Sequence, residues 1–254
     1  MNHMAALLET RNLNKHFYGI RALEDFNCKI KTGELLGLIG PNGAGKSTLF
    51  NVLTGFIAAD SGTATFKNQI VTGLPAYRIN QEGISRTFQI LRLIEQISVM
   101  DNVLLAFKNQ PGEKIFKVFF RGKRVARSEK ENREKAQALL EDAGLEEKAD
   151  DPAGTLSYGQ QKLLSIVCCL ASDPDLLMLD EPVSGINPAM IDKIMKIISG
   201  LPERGKSVVI IEHNMDVIKD YCKRVIFMDH GRKICEGTPK EVRNNPQVLE
   251  AYLD

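Results

Sequence analysis

The chain has 254 residues, of which 43% are hydrophobic and 26% charged, enough for one large domain with a full core. A net charge of +1 excludes a global electrostatic attraction to nucleic acid. No apolar run approaches the roughly 18 residues of a membrane span, and residues 1–5 do not resemble a signal peptide. The five cysteines show no Cys-x-x-Cys pair, which predicts free thiols in a reducing compartment and a cytosolic protein.

Short apolar runs separated by turns make up the first part of the chain. Leu7–Leu13 and Phe26–Ile30 are typical of strands, and Gly62–Phe66 is typical of a third. Because these strands lie close together in the sequence, we predict a small antiparallel layer beside a main sheet.

The strongest motif lies between a predicted strand, Leu35–Ile39, and a predicted helix, Thr48–Leu53. The eight residues from 40 to 47 fit G-x-x-x-x-G-K-[ST], the loop that wraps nucleotide phosphates: Gly40-Pro41-Asn42-Gly43-Ala44-Gly45-Lys46-Ser47. Its glycines let backbone N–H groups point inward, and the helix adds its positive N-terminal end. We predict that residues 40–48 bind a nucleoside triphosphate. Lys46 is expected at the β- and γ-phosphates and Ser47 as a ligand of Mg²⁺, with Thr48 beside it.

The middle of the chain has helical periodicity. Val99–Ala106 fits an amphipathic helix, and Glu129–Leu140 fits a charged one. The basic and aromatic stretch at 114–135 has two interpretations, a patch for a partner or anionic lipid and a solvated helical hairpin with a few core aromatics. We favour the hairpin.

Beyond Thr155, helices and strands alternate with the spacing of a parallel sheet. The predicted buried strands are Leu176–Leu179, Val208–Ile211 and Val225–Met228. The first is followed by Asp180 and Glu181, at the strand end where ligands bind in such sheets. We predict that Asp180 holds Mg²⁺, directly or through water, and that Glu181 orients and deprotonates the water that attacks the γ-phosphate.

The segment Leu156-Ser157-Tyr158-Gly159-Gln160-Gln161 resembles the signature motif of ABC-transporter ATPases, usually L-S-G-G-Q, with Tyr158 in place of the commonest Gly. In that family the motif opens a helix, so Ser157 is expected as the N-cap and the helix start as an anion site. The resemblance implies that Ser157, Gly159 and Gln160 contact the ATP held by the other protomer of a head-to-tail dimer.

Other parts of the family pattern follow in the expected order. Phe17 matches the aromatic that stacks on adenine, with Tyr18 as its rival. Gln89 matches the glutamine that contacts Mg²⁺ and senses the transmembrane partner, and His213 matches the histidine that hydrogen-bonds the γ-phosphate. Asn187 stands where an Asp is more usual.

The resemblance covers nearly the whole chain and implies an α/β fold, a P-loop NTPase (RecA-like) core with an antiparallel β subdomain and an inserted α-helical subdomain. We expect 1–90 and 160–254 to form the core with the β subdomain, and 91–159 to form the helical subdomain. The implied ligands are ATP and Mg²⁺. The implied partners are a second ATP-binding subunit in a homo- or heterodimer, transmembrane permease subunits and, indirectly, a substrate-binding protein, but no nucleic acid. The permease would hold the chain at the cytoplasmic face of the membrane.

A finer resemblance is to the ATPases of branched-chain amino acid importers, carried by Arg86-Thr87-Phe88-Gln89, the long insertion after Asn102 and the ending Gly237–Leu253. Urea importers share several of these features and stay open as an alternative. Two rivals from other classes are a soluble ABC ATPase in DNA repair or translation and a small-molecule kinase with a phosphate loop. The first usually carries two cassettes or a long coiled coil, and the second would not need the signature.

Overall fold

The computed structural model describes residues 6–88, 91–108, 122–213 and 215–251, and the side chains of all of these except 122–126. In these ranges the strands are β1 Ala6–Phe17, β2 Ile20–Lys31, β3 Leu35–Ile39, β4 Ser61–Phe66, β5 Gln69–Ile70, β6 Ile84–Arg86, β7 Leu176–Asp180, β8 Ser207–Ile211, β9 Arg224–Asp229 and β10 Arg232–Gly237. The α-helices are α1 Lys46–Leu53, α2 Ala76–Glu82, α3 Val99–Leu105, α4 Gly122–Ala143, α5 Tyr158–Ala171, α6 Pro188–Gly200, α7 Met215–Tyr221, α8 Pro239–Arg243 and α9 Pro246–Ala251.

The main sheet has six strands in the order β10-β9-β3-β8-β7-β6. All neighbours pair in parallel except β10, which pairs antiparallel with β9 at one edge. The predicted parallel sheet is confirmed, with each predicted strand inside β3, β7, β8 or β9. Near-continuous apolar runs suit these strands because helices or a second sheet cover both faces.

A second sheet, with the order β2-β1-β4-β5, is antiparallel throughout, which confirms the predicted antiparallel layer. β1 and β2 extend beyond the predicted runs and form a hairpin whose two turn residues, Tyr18 and Gly19, both have positive φ, 47° and 88°. Two successive positive φ values match the right-handed twist of the flanking strands.

The hydrophobic core lies in two layers because side chains alternate along each strand of the main sheet. From β3, Leu36 and Leu38 pack in a cluster that includes Phe26 of β2 and Phe50 of α1. On the other face, Leu35 and Ile39 belong to a cluster that includes side chains of α3, α4, α5 and α6. A fully buried side chain of this size contributes about 1.5–3 kcal/mol to folding.

The helical region contains both predicted helices, as α3 and as part of α4. The segment before α3 is held by one side chain, since Asn102 Oδ1 accepts from the Ile94 N–H at 2.9 Å and Asn102 Nδ2 donates to the Ile94 carbonyl at 3.0 Å. Of the basic and aromatic stretch at 114–135, residues 114–121 lie outside the described residues and 122–135 belong to α4. The choice between its two interpretations stays a prediction.

The strands β5, β6 and β10 and the helices α2, α8 and α9 were not predicted from the sequence. A three-residue strand such as β6 is too short to show an alternation pattern. One missed helix did carry a signal: Thr238 and Glu241 form a capping box around α8, with Pro239 at its first position.

All five cysteines lie in the described ranges and are free thiols, as predicted. Within those ranges, no helix has both the length and the apolar character needed to cross a bilayer.

Candidate functional site

The loop between β3 and α1 requires glycine at two positions for steric reasons. Gly40 has φ 153°, and a Cβ there would lie 2.0 Å from the Met228 carbonyl oxygen. Gly45 has φ 96°, and a Cβ there would lie 2.3 Å from the Ala22 carbonyl oxygen. Gly45 is also the N-cap of α1 and offers no side-chain acceptor, so the first N–H groups of the helix are available to an anionic ligand.

Lys46 is folded back over this loop. Its ammonium group donates to the carbonyl oxygens of Gly40 at 2.7 Å and Pro41 at 2.8 Å, and the residue is only 6% exposed. Burial lowers the pKa of Lys46, whereas the charges of Glu181 and Asp180 act to raise it. The structure therefore brings the loop cation into the electrostatic field of the two predicted carboxylates, while Ser47 stays exposed at the start of α1.

Asp180 ends β7 and is buried. Its backbone N–H donates to Thr87 Oγ1 at 3.1 Å, and its Oδ2 lies 3.4 Å from Nη2 of Arg86. Burial raises the pKa of Asp180, and the nearby Arg86 guanidinium opposes that rise. A largely desolvated carboxylate of this kind gains from a cation placed beside it.

Arg86 is a site residue to which the sequence motif alone assigned no role. Besides Asp180, its guanidinium contacts Asn51 Oδ1 at 2.7 Å and Thr54 Oγ1 at 3.2 Å, so it connects β6 to α1 and β7. The guanidinium also lies over three aromatic rings, with carbon-to-centroid distances of 5.7, 5.7 and 4.8 Å to Phe50, Phe56 and Phe88. No sequence signal identified this role, because only the fold brings the arginine beside these three phenylalanines.

Glu181 and His213 meet at the ends of neighbouring parallel strands. His213 Nε2 lies 2.9 Å from Glu181 Oε1, and the Glu181 N–H donates to the Ile211 carbonyl at 3.0 Å. Glu181 has φ 48°, a left-handed conformation that is uncommon for a residue with a Cβ. The structure thus brings Lys46, Asp180, Glu181 and His213, four of the predicted site residues, to the same edge of the sheet.

The predicted signature segment begins α5 as expected. Ser157 is the N-cap, its Oγ accepting from the Gln160 N–H at 3.4 Å while Gln160 Oε1 accepts from the Ser157 N–H at 2.9 Å. A Cβ on Gly159 would lie 2.8 Å from Met190 Cγ, so glycine permits close packing on α6. Among the described residues, no hydrogen bond or ion pair joins 157–160 to the loop at 40–47 of the same chain.

The remaining predicted residues lie around this centre. Phe17 is 36% exposed with Lys15 Nζ 5.3 Å from its ring centroid, while Tyr18 is fully exposed at the hairpin turn. Asn187 is the N-cap of α6, its Oδ1 accepting from the Met190 N–H at 3.0 Å. Gln89 lies outside the described residues.

The donor set fits a magnesium ion held largely by a nucleotide. In the part of the chain that the structure describes, no three His, Cys, Asp or Glu side chains are grouped as a metal site. Mg²⁺ usually binds through one or two protein oxygens plus substrate phosphates, and the Asp180 carboxylate and Ser47 hydroxyl would supply such oxygens.

Comparison with protein families gives two matches. Residues 23–184, more than half of the chain, match the family described as "ABC transporter". Residues 232–253 match the family described as "Branched-chain amino acid ATP-binding cassette transporter".

Curated relatives align over almost the full length. The high-affinity branched-chain amino acid transport ATP-binding protein BraF of Pseudomonas aeruginosa is 37% identical over 248 residues, covering 97% of each chain. The protein of the same description in Escherichia coli, LivG, is 36% identical over the same length and coverage.

Solved structures agree with the fold. A nucleotide-free ATP-binding cassette from an ABC transporter superposes with a TM-score of 0.86 at 34% identity, covering 98% of this chain and 100% of that one. A cassette in its ADP conformation superposes with a TM-score of 0.84 at 34% identity, covering 98% and 99%. A bacterial cassette solved as a dimer has a TM-score of 0.76 at 28% identity, covering 91% and 98%. The chain therefore belongs to the ABC transporter family, as one of its ATP-hydrolysing cassettes.

Proposed function

We propose that this cassette is the ATP-hydrolysing motor subunit of an importer for branched-chain amino acids. The proposed substrate rests on a single observation. The C-terminal residues 232–253 match the branched-chain amino acid cassette family. The names of full-length relatives from a pseudomonad and an enterobacterium point the same way.

The geometry supports a specific role for each of the site residues. Residues 40–48 cradle the phosphates, with Lys46 at the β- and γ-phosphates, and Phe17 or its neighbour Tyr18 stacks on adenine. Asp180 and Ser47, together with Gln89, are the proposed Mg²⁺ ligands. Bound there, the ion would neutralise charge on the phosphates.

Two further side chains act at the γ-phosphate in this proposal. The Glu181 carboxylate orients the attacking water and accepts its proton, and His213 donates a hydrogen bond to the γ-phosphate. The 2.9 Å contact between them supports this assignment because it holds the carboxylate in one orientation.

The second half of each nucleotide site would come from another cassette. Ser157, Gly159 and Gln160 begin a helix whose N-terminus suits an anion, and within the described residues they make no polar contact with the chain's own phosphate loop. Dimeric cassettes among solved relatives support a head-to-tail dimer with two ATP molecules between the chains. ATP must bind the closed dimer more tightly than the open one for this closure to do work.

The partner that receives the motion is, in this proposal, a transmembrane permease, with a substrate-binding protein acting on it from the far side. A cavity of about 390 Å³ is lined by residues of β6, α3 and α5, and by Arg92 and Ile94 from the segment between β6 and α3. It suits docking of a permease segment between the core and a helical subdomain at 91–159. This contact would hold the chain at the cytoplasmic face of the membrane.

The alternative is a cassette of an importer for urea or another small solute, and a soluble ABC ATPase outside transport is a more distant one. The test is reconstitution in proteoliposomes with the permease subunits and binding protein encoded beside this chain. We expect uptake of labelled leucine that requires ATP and Mg²⁺ on the cassette side and is lost with Glu181→Gln. Uptake of urea without leucine would favour the alternative, and ATP hydrolysis without uptake of either would argue against both importers.

A further inference from the structure

The turn after β7, residues Glu181 to Val183, has a backbone that its own sequence does not favour. Glu181 has φ 48°, and left-handed backbone is unfavourable for a residue with a Cβ. Such a conformation persists where the surrounding structure holds it. The groups that hold this turn therefore decide where the Glu181 carboxylate points.

One of these groups is the ammonium of Lys162, from the second turn of α5. Lys162 is only 7% exposed, and its Nζ donates to the Glu181 carbonyl oxygen at 2.7 Å. The same Nζ lies 5.4 Å from the ring centroid of Tyr158, the signature residue that replaces the commoner glycine. Burial lowers the pKa of Lys162, whereas the charges of Glu212, Glu181 and Asp180 act to raise it.

The second group is the carboxylate of Glu212, the residue that directly follows β8. Glu212 is 3% exposed, and its Oε1 accepts from the Val183 N–H at 3.0 Å. Burial raises the pKa of Glu212, and the Val183 N–H and the Lys162 charge oppose that rise. The buried Lys162 ammonium thus binds the carbonyl at the start of this three-residue turn, and the buried Glu212 carboxylate binds the N–H at its end.

We propose that Lys162 and Glu212 are positioning residues that together hold the Glu181–Val183 turn and so aim the Glu181 carboxylate at the attacking water. The inference rests on the proposed role of Glu181. The inference also assigns two roles to α5. Its N-terminus serves the nucleotide of the partner cassette in our proposal, while Lys162, one turn further along, fixes the hydrolytic carboxylate of its own chain.

The first test replaces Lys162 by methionine, which keeps the length of the side chain and removes the ammonium. A displacement of about 1 Å at a reacting group costs up to about 10²-fold, so we expect kcat to fall ten- to hundred-fold. Equilibrium binding of labelled ATP and KM should change less than about twofold, because Lys162 does not belong to the phosphate loop. Lys162→Arg, which retains a buried cation and donor, should restore most of kcat.

The matched control is Lys193→Met. Lys193 also donates to a backbone carbonyl, that of Gly144 at 3.3 Å, but it lies exposed on α6. We expect wild-type kcat and KM for this control. An equal loss of ATP affinity and kcat in Lys162→Met would overturn the inference, since it would show general damage to the site.

A second pair of variants covers the case in which Lys162→Met fails to fold, as judged by circular dichroism. Glu212→Leu removes the acceptor for the Val183 N–H and should lower kcat with ATP affinity unchanged, whereas Glu212→Gln retains an acceptor oxygen and should lose less. Glu181→Gln is measured beside them. If Glu181→Gln hydrolyses ATP at the wild-type rate, the proposed role of Glu181 fails. If it is inactive while Lys162→Met and Glu212→Leu keep wild-type kcat, the positioning inference alone fails.

Discussion

His213 Nε2 lies 2.9 Å from Oε1 of Glu181, although 32 positions separate the two residues in the chain. The contact exists because β7 and β8 are parallel neighbours, with Asp180 paired to Ile211, so that both strands end at one edge of the sheet. This edge also holds Lys46 and Asp180 within mutual electrostatic reach.

The first prediction concerns the carboxylate itself. Glu181→Gln should lower ATP turnover by about 10²-fold or more, because an amide cannot accept the proton of the attacking water. ATP binding should persist, and size-exclusion chromatography with ATP should show a trapped dimer. Glu203→Gln, at an exposed carboxylate in the turn before β8, is the control and should behave as wild type. Wild-type turnover in Glu181→Gln would remove Glu181 from the mechanism.

The second prediction concerns Lys46→Ala. Hydrogen bonds to charged groups contribute about 1.5–3 kcal/mol, so ATP affinity should fall roughly ten- to hundred-fold. Equilibrium binding of labelled ATP measures this directly. Lys130→Ala, which removes an exposed lysine from α4, should leave the affinity unchanged. Unchanged affinity in Lys46→Ala would contradict the assignment of residues 40–47 as the phosphate loop.

The third prediction is that the signature acts across a dimer. Ser157→Arg alone should bind ATP nearly as wild type while hydrolysis collapses, because Ser157 would serve the nucleotide of the partner chain. Mixing Ser157→Arg chains with Lys46→Ala chains should form one site with both defects and one with neither, and so return some activity. Cross-linking checks that mixed dimers form. Loss of ATP binding by Ser157→Arg, with its fold intact by circular dichroism, would place the signature at its own chain's nucleotide.

The fourth prediction compares the loss of stability when either of two glycines in the phosphate loop is replaced by alanine. Gly43 has φ 83° with open space around its missing Cβ, so Gly43→Ala should cost about 1–2 kcal/mol of unfolding free energy from backbone conformation alone. Gly40→Ala should cost more, because its Cβ would lie 2.0 Å from the Met228 carbonyl oxygen. Urea unfolding without nucleotide compares the two variants. Equal losses would show that the backbone at Gly40 can move away from Met228.

The fifth prediction concerns acid stability near the turn of the β1–β2 hairpin. Asp60 Oδ1 lies 2.8 Å from Lys15 Nζ, and its Oδ2 accepts from the His16 N–H at 2.6 Å. These interactions, of which the Lys15 contact has the largest effect, lower the pKa of Asp60 from 3.8 to about 2. A carboxyl whose pKa is lower in the folded state contributes its stability above the unfolded value and loses it as pH falls through the folded value.

Asp60→Asn should therefore be less stable than the wild type above about pH 4, and the difference should shrink between about pH 4 and pH 2. Thermal unfolding of both proteins across this range measures it. A difference that stays constant down to pH 2 would show that the Asp60 charge is not its source.

The sequence by itself determined the features that depend on local pattern. Leu35–Ile39 and Leu176–Leu179 are continuous apolar runs, which suit strands covered on both faces. The spacing of Gly40, Gly45 and Lys46 identified the phosphate loop because a backbone this tight admits few other residues. Ser157 was predictable as an N-cap for the same local reason, a short side chain that can accept from the third residue after it.

Only the tertiary structure decided which distant groups meet at the ends of these strands. Arg86 contacts Asp180, 94 positions away, because β6 pairs with β7. Lys162 reaches the Glu181 carbonyl across 19 positions because α5 packs against the turn after β7. No periodicity or motif predicts these contacts. The burial of a charged side chain, and the groups that it contacts, depend on how whole helices and strands pack. The sequence thus identified the phosphate loop and the carboxylates at the end of β7 as the residues that carry the chemistry. The packing of strands and helices determined which other side chains contact and orient them.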